Sequence, residues 1–506
     1  MRKFSRSTGS TLLGAEARLV DIQVAIAAER DGGRGGLRIV GLPDSALREG
    51  RERIQAAILQ GGWPWPSEPL TANLAPADAR KEGPALDLPI ALGILDAQGL
   101  LGTGSVLEGW LVVGELALDG DVRPVRGVLA AAEAARRAGI ARALVPCGNA
   151  QEAAAVAGLE VVAPRTLAEA VAHLRGLARL APVERAPWQP ETAAGDPLAE
   201  VRGQPFAVSA ARVAAAGCHN LLLSGPPGAG KSLLARRLCD LLPPLGYEEA
   251  LEASRVHSAA GLLQGGLLGR RPFRAPHHTT SLAGLVGGGS FPRPGEVSLA
   301  HLGVLFLDEL AEFPRTCLEA LRQPLEDGHL SLGRAAGRAT FPAEALLVVA
   351  TNPGPCGWAG VPGRCRCSPL VVKRYLERIS GPLRDRFDVA VDVKPVDPQE
   401  LLVAQAAPAP EARSLARAVE MQRARSRALG LARPWNSRIP GRLLPAAVEP
   451  THEAEATMIS VARTAGLTGR GVHRVLRVAR TLADMEGRAQ VEDAHIRTAA
   501  TYRCGA

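Results

Sequence analysis

The octapeptide Gly225-Pro226-Pro227-Gly228-Ala229-Gly230-Lys231-Ser232 decides how this chain is read, because it fits the phosphate-binding pattern G-x-x-x-x-G-K-[ST]. Outward from it, Asn220-Leu221-Leu222-Leu223-Ser224 reads as a short buried strand. Leu233-Leu234-Ala235-Arg236-Arg237-Leu238 reads as the helix that follows. A strand–loop–helix turns backbone N–H groups and the positive end of a helix toward phosphate oxygens. In that frame Lys231 reaches the β- and γ-phosphates, and Ser232 offers an oxygen to Mg2+. Glycine-rich chains produce such strings by chance, and this one holds 55 glycines. Lysine is scarce, however: Lys3, Lys81, Lys231, Lys373 and Lys394 are the only ones. That one of so few fills the motif's lysine slot favours a nucleotide-binding loop.

At 506 residues the chain has room for three or four domains of roughly 150 residues each. With 46% hydrophobic and 22% charged residues it belongs with globular proteins and not with disordered ones. A net charge of +8 is compatible with a polyanionic partner but modest for this length. No apolar run reaches the roughly 18 residues a membrane span requires. The opening stretch MRKFSRSTGSTLLGAEARLV breaks its apolar run at Glu16 and Arg18, unlike a secretory signal, so a cytoplasmic location is the default expectation. The eight cysteines are unevenly spaced and do not read as a disulfide framework. Cys147, Cys218, Cys239, Cys317 and Cys504 stand alone and read as small buried apolar residues.

Residues 183–197, beginning VERAPWQPETAAGD, are rich in Pro, Glu and small residues without helical or strand period, and read as a linker. It separates an N-terminal domain (1–182) from a nucleotide-binding domain (198–395). Lys394-Pro395-Val396-Asp397-Pro398 breaks the pattern again. Beyond it, residues 396–506 hold helix-like segments such as Glu411–Leu429 and Val472–Met485.

Two further apolar runs in the central domain end in polar residues. Val304-Leu305-Phe306-Leu307 leads into Asp308-Glu309, which places Asp308 where it can organise Mg2+ and Glu309 where it can polarise the attacking water. The other reading is a plain strand end. Ala345–Ala350 leads into Thr351-Asn352-Pro353, so that Asn352 either orients that water or is a turn residue before proline.

The order phosphate loop, strand-Asp308-Glu309, strand-Thr351-Asn352-Pro353, then Arg378–Asp388 is similar to that of AAA+ ATPases. Pro272-Phe273-Arg274-Ala275-Pro276-His277-His278-Thr279-Thr280-Ser281, with Gly287–Gly289 and Pro294–His301 behind it, narrows the resemblance to magnesium-chelatase-like AAA+ proteins of the ComM/YifB branch. The resemblance covers nearly the whole chain. It implies an α/β AAA+ core with a parallel sheet, a Lon-protease-like α+β N-terminal domain and a C-terminal helical lid, with ATP and Mg2+ as cofactors. Arg386, in Asp385-Arg386-Phe387-Asp388, resembles the arginine finger that reaches the γ-phosphate bound by a neighbouring subunit. Arg470 matches the sensor-2 position, expected to contact nucleotide in its own chain, with Arg474 as the rival. A finger acting across subunits implies a ring, expected to be a homo-hexamer.

Three features stay ambiguous in the sequence. His277 and His278 have no flanking carboxylate pattern, and read as part of an insertion near a ring pore and not as metal ligands. Asp327–Phe341 reads as a hairpin with Arg334 and Arg338 at or near its tip, suited either to DNA phosphates or to solvent. Cys356, Cys365 and Cys367 occupy a loop where many relatives carry four thiolates for zinc, and Gly354 stands where the first would be.

In the N-terminal domain, Arg80-Lys81-Glu82-Gly83-Pro84-Ala85 resembles the nucleophile loop of Lon-type proteases, and Gly114–Val125 the hairpin that follows. The nucleophile position is Ala85 and the dyad-lysine position Leu129, so Ser–Lys chemistry is excluded. Gly41-Leu42-Pro43-Asp44 and Asn73–Asp78 also match the branch. The resemblance implies a DNA motor that promotes branch migration of incoming DNA in natural transformation. The rival it leaves open is a remodeller of a protein partner.

Overall fold

The computed structural model describes every residue except 1–2, 28–35, 42–44, 78–80, 82, 193–194, 290–291, 335–336, 360, 362, 397–398, 400–410 and 505–506. Leu42-Pro43-Asp44, Asp78, Arg80, Glu82, Asp397 and Pro398, singled out above, therefore lie outside the described residues.

Alternation of apolar and polar residues builds the first sheet. Strands β1 (Phe4–Leu13) and β2 (Glu16–Ile26) form an antiparallel ribbon, with Val20, Ile22, Val24 and Ile26 buried and the residues between them partly exposed. Five more strands join them: β3 (Leu37–Val40), β4 (Leu70–Ala75), β5 (Trp110–Val112), β6 (Arg142–Leu144) and β7 (Glu160–Val162). The sheet order is β3-β4-β2-β1-β5-β6-β7, mixed parallel and antiparallel. Helices α1 (Ser45–Gln60), α2 (Asp87–Ala97) and α3 (Val128–Arg137) accompany it, and every residue of α2 is buried. Such a helix anchors a core, because it has no face left for solvent.

Residues 183–192 carry neither helix nor strand, yet they are not a free tether. The Trp188 indole N–H donates to the Leu268 carbonyl at 3.1 Å, and Glu191 pairs with Arg270 at 2.6 Å. The segment is strapped to the domain that follows it.

That domain begins with α4 (Pro205–Gly217), β8 (Leu221–Ser224), α5 (Lys231–Leu241) and α6 (Tyr247–Ala260). Strands β9 (Phe273–Arg274), β10 (Val304–Leu307), β11 (Leu346–Thr351) and β12 (Val389–Asp392) complete a parallel sheet in the order β9-β10-β11-β8-β12. All four residues of β10 and all six of β11 are buried, which is why they read as unbroken apolar runs. Loops leaving the C-terminal ends of β8, β10 and β11 therefore meet along one edge, where open α/β sheets bind ligands. His329–Arg334 and Gly337–Pro342 pair as a hairpin, Gly333 opposite Arg338 and Arg334 opposite Gly337. The two arginines are thus beside the tip, while their side chains lie outside the described residues.

The last region is helical: α7 (Glu411–Leu429), α8 (His452–Thr464), α9 (Gly469–Glu486) and α10 (Asp493–Cys504). Helix α9 starts three residues before the apolar spacing shows it, because the Thr468 hydroxyl accepts from the Gly471 N–H at 3.2 Å. Val475, Val478 and Ala479 share one core cluster with Leu221, Leu234 and Val348, so the lid helices pack into the ATPase core. The N-terminal domain docks on the same unit through α3 and α6: Gly127 N–H donates to Ser258 O at 3.0 Å, and Glu133 faces Arg255 at 3.6 Å. Cys147 departs from its reading as a buried apolar residue; it is exposed, its thiol directed at the Ala163 carbonyl at 3.0 Å.

Candidate nucleotide-binding site

The phosphate loop runs between β8 and α5. Gly225 and Gly230 are required by geometry: a side chain on Gly225 would collide with the Val393 carbonyl, and Gly230 starts α5 at φ 89°. The Gly225 N–H donates to Thr351 O at 3.1 Å, which fixes the loop to the end of β11.

Four of the residues singled out meet here. The Lys231 ammonium donates to Gly225 O at 2.5 Å, to Pro226 O at 2.9 Å and to Asn352 Oδ1 at 3.1 Å. The Ser232 hydroxyl donates to Asp308 Oδ2 at 2.7 Å, and the Glu309 N–H holds Asp308 Oδ1 at 2.9 Å. Burial lowers the Lys231 pKa, and the carboxylates of Asp308 and Glu309 oppose that shift. Pro226, Pro227, Gly228 and Ala229 complete the turn. A hydroxyl and a carboxylate converging at one strand edge are the hard oxygen donors that Mg2+ takes, so Ser232 and Asp308 fit it. Asn352 is fixed beside the lysine by its amide oxygen and is not a free turn residue.

Glu309 has φ 52°, in the left-handed region that a non-glycine residue rarely enters. Its neighbour Asp308 turns toward the phosphate loop. Glu309 Oε2 lies 3.3 Å from His278 Nδ1. The two histidines lack a carboxylate nearby in sequence, and the parallel pairing of β9 with β10 supplies one in space. Reading along the chain missed this contact; the only signal available was that His278 follows a strand able to lie beside β10.

Arg386 and Arg470 are not in this cluster. Arg386 precedes β12, and Asp388 N–H pairs with Asn220 O at 3.0 Å, at the strand starts, while the phosphate loop leaves the strand ends. Four strand residues separate the two edges by about 13 Å. Arg386 is 5% exposed and paired with Glu326, its Nη1 donating to Pro382 O at 3.1 Å. Arg470 lines a cavity of about 310 Å3 with Arg386, Glu326, Asp385, Asp388 and Arg474. The expectation that Arg470 contacts nucleotide in its own chain is therefore corrected. Helix α9 packs against α4, and its Thr481 meets His219, two residues past the end of α4, at 2.8 Å; that docking carries its first turn to the edge opposite the phosphate loop. Arg474 bonds Asp388 Oδ1 at 2.5 Å and Arg386 O at 3.0 Å. Burial alone would raise the Asp388 carboxyl, but the His219 hydrogen bond and the Arg474 charge outweigh it and hold Asp388 well below the carboxylate range.

Away from this site, the thiols of Cys356, Cys365 and Cys367 lie within 4.8 Å of one another, Cys356 and Cys365 at 3.8 Å. Zinc–sulfur bonds of about 2.3 Å in a tetrahedron put sulfurs about 3.8 Å apart, so the spacing suits three of four zinc ligands. Among the described residues no fourth His, Cys, Asp or Glu joins the group. In the N-terminal domain Ala85 offers only a methyl group, and Leu129 is wholly buried in α3.

Three family descriptions match the chain. The family described as "Magnesium chelatase, subunit ChlI" matches residues 197–401, "Subunit ChlI of Mg-chelatase" 26–149, and "Magnesium chelatase, subunit ChlI C-terminal" 409–503. The chain is 39% identical over 510 residues to the competence protein ComM of Haemophilus influenzae, covering 97% of this chain and 96% of the relative. It is 40% identical over 498 residues to the uncharacterized protein YifB of Salmonella typhimurium, covering 97% and 95%. An uncharacterized protein of Mycobacterium tuberculosis is 43% identical over 505 residues, 98% of each chain.

Proposed function

The chain belongs to the ComM/YifB family of magnesium-chelatase-like AAA+ ATPases, and we propose that it is a ring motor that hydrolyses ATP to move on DNA. The observation that carries the ATPase half is the convergence of Lys231, Ser232, Asp308 and Asn352 at the ends of three adjacent strands. The DNA half is supported by the likeness to a competence protein and by the arginines beside the hairpin tip. The finer reading is a branch-migration helicase that helps incoming DNA recombine during natural transformation.

In this reading the loop N–H groups and Lys231 hold the β- and γ-phosphates of ATP, the lysine exchanging its loop carbonyls for phosphate oxygens. Ser232 and Asp308 hold Mg2+, which supplies charge neutralisation at the phosphates. Glu309 polarises the attacking water and Asn352 orients it. Arg386 and Arg470 share the edge opposite the phosphate loop, so they serve the nucleotide of an adjacent subunit, which makes a homo-hexamer the expected working form.

ATP turnover by the full-length protein, with and without single-stranded, duplex and branched DNA at several salt concentrations, tests the proposal. Stimulation that weakens with salt and is lost in Lys231→Ala supports it. Turnover indifferent to every DNA points to a protein client instead, as in the remodeller reading.

A further inference from the structure

The ribbon of β1 and β2 is closed by a two-residue turn, Gly14-Ala15, with Leu13 paired to Glu16. Gly14 has φ 72°, a conformation for which the first place of such a turn favours glycine. A hairpin turn at a domain's edge needs no cover, yet here Ala15 is 3% exposed. What covers it belongs to another domain. Ala15 shares an apolar cluster with Ala339 and Phe341 of the 329–342 hairpin, with Val256 of α6 and with Leu299. Leu332, from the hairpin's other strand, packs against the same cluster. A Cβ on Gly14 would stand 3.0 Å from the Thr340 carbonyl oxygen and 3.3 Å from Ala339 Cβ, so a bare backbone lets the turn close on the hairpin. The gripped residues, 339–341, directly follow Arg338 beside the tip. The rest of the N-terminal domain is seated on α6, where the Tyr247 hydroxyl donates to Ala155 O at 2.8 Å and Gly127 N–H to Ser258 O at 3.0 Å. Leu299 is tied to the same helix, its carbonyl 3.0 Å from His257 Nε2.

We propose that the N-terminal domain carries the hairpin: the Gly14-Ala15 turn positions the strand behind Arg338, and domain and hairpin move as one body when DNA is engaged. Ala339 and Phe341 are wholly buried, and apolar surface covered from both sides resists separation. A push on the hairpin is therefore passed through β1 and β2 to the whole first sheet. The N-terminal domain, with no nucleophile at Ala85, keeps a mechanical task. The inference rests on the reading of the hairpin as the part that meets DNA.

The test is ATP turnover by the full-length protein with and without a single-stranded oligonucleotide of mixed sequence. Wild type is compared with Ala15→Asp, with the Gly14→Cys/Ala339→Cys pair and with Arg334→Ala/Arg338→Ala. Asp suits a turn, but its charge is too costly to bury against Ala339 and Phe341, so it parts the two elements. Ala15→Asp is expected to keep the basal turnover and KM for ATP of wild type and to lower the stimulation by DNA at least about fivefold. The cysteine pair, placed near the roughly 3.8 Å between Cβ atoms of a disulfide, locks the contact shut when oxidised. It is expected to be stimulated like wild type under the same oxidant, since the contact never needs to open. Wild-type stimulation in Ala15→Asp, while Arg334→Ala/Arg338→Ala loses it, overturns the inference alone. So does stimulation that vanishes in the oxidised pair and returns on reduction, because the turn is then a latch that must release. Stimulation that survives Arg334→Ala/Arg338→Ala overturns the reading of the hairpin, and the inference with it.

Discussion

Two lysines in this chain are buried between a strand and a helix, each donating to a backbone carbonyl a few residues upstream. Lys81, fully buried between β4 and α2, donates to Pro76 O. Residues 225–230 connect β8 to α5, and Lys231, 7% exposed, donates to Gly225 O and Pro226 O. The lysine contacts are alike; the surroundings are not. Next to β8, β11 leads into Asn352, and one strand further β10 leads into Asp308, which brings these residues to the lysine and the following serine. At the head of α2, Ala85 contributes a methyl group, and Asp87 is committed to Arg53 at 2.8 Å. A strand–loop–helix supplies a place for chemistry, while strand ends from elsewhere in the chain decide whether chemistry occurs there.

The sharpest way to break this contrast is to remove each lysine. Lys231→Ala is expected to lower kcat for ATP by at least about 100-fold with little change in Tm, since a charge stabilising the transition state is lost. Lys81→Ala is expected to do the reverse: turnover per folded molecule holds, while stability falls by about 1–3 kcal/mol as the hydrogen bond of a fully buried charged side chain is lost. Equal loss of turnover in both would erase the distinction.

Arg386→Ala extends the contrast across subunits. A kcat loss on the order of 1000-fold is expected. Mixing it with Lys231→Ala is expected to restore part of the turnover, because some interfaces then combine an intact loop with an intact arginine. No recovery on mixing would mean that Arg386 acts within its own chain.

What could be read from the sequence explains where these predictions are firm. The places of Asp308 and Asn352 were legible because each follows an unbroken apolar run of the kind a buried parallel strand leaves, and those of Lys231 and Ser232 because they close a glycine-rich phosphate-loop pattern. The His278–Glu309 contact was not legible, since it depends on β9 lying next to β10. Arg470 was misplaced for a similar reason: its motif is local, but its position follows from how α9 docks on α4 through Thr481 and His219. The convergence of Cys356, Cys365 and Cys367 likewise needed the loop's path.

A pH-dependent effect concerns Asp87. Burial raises its pKa from 3.8 to about 7, with Arg53 opposing the shift. A folded state that binds a proton more tightly than the unfolded chain loses stability as pH rises between those two values. Asp87 is thus expected to weaken the N-terminal domain between about pH 4 and pH 7, with no further change above. Denaturant midpoints across that range should fall more steeply in wild type than in Asp87→Asn; parallel slopes would contradict this.

The central claim, that ATP turnover at the β8 edge drives movement on DNA, is tested most directly by strand displacement from a labelled three-strand junction. The account expects ATP-dependent displacement by wild type, none by Lys231→Ala or Arg386→Ala, and none with a non-hydrolysable ATP analogue. Robust ATP turnover with no displacement from any junction would contradict it.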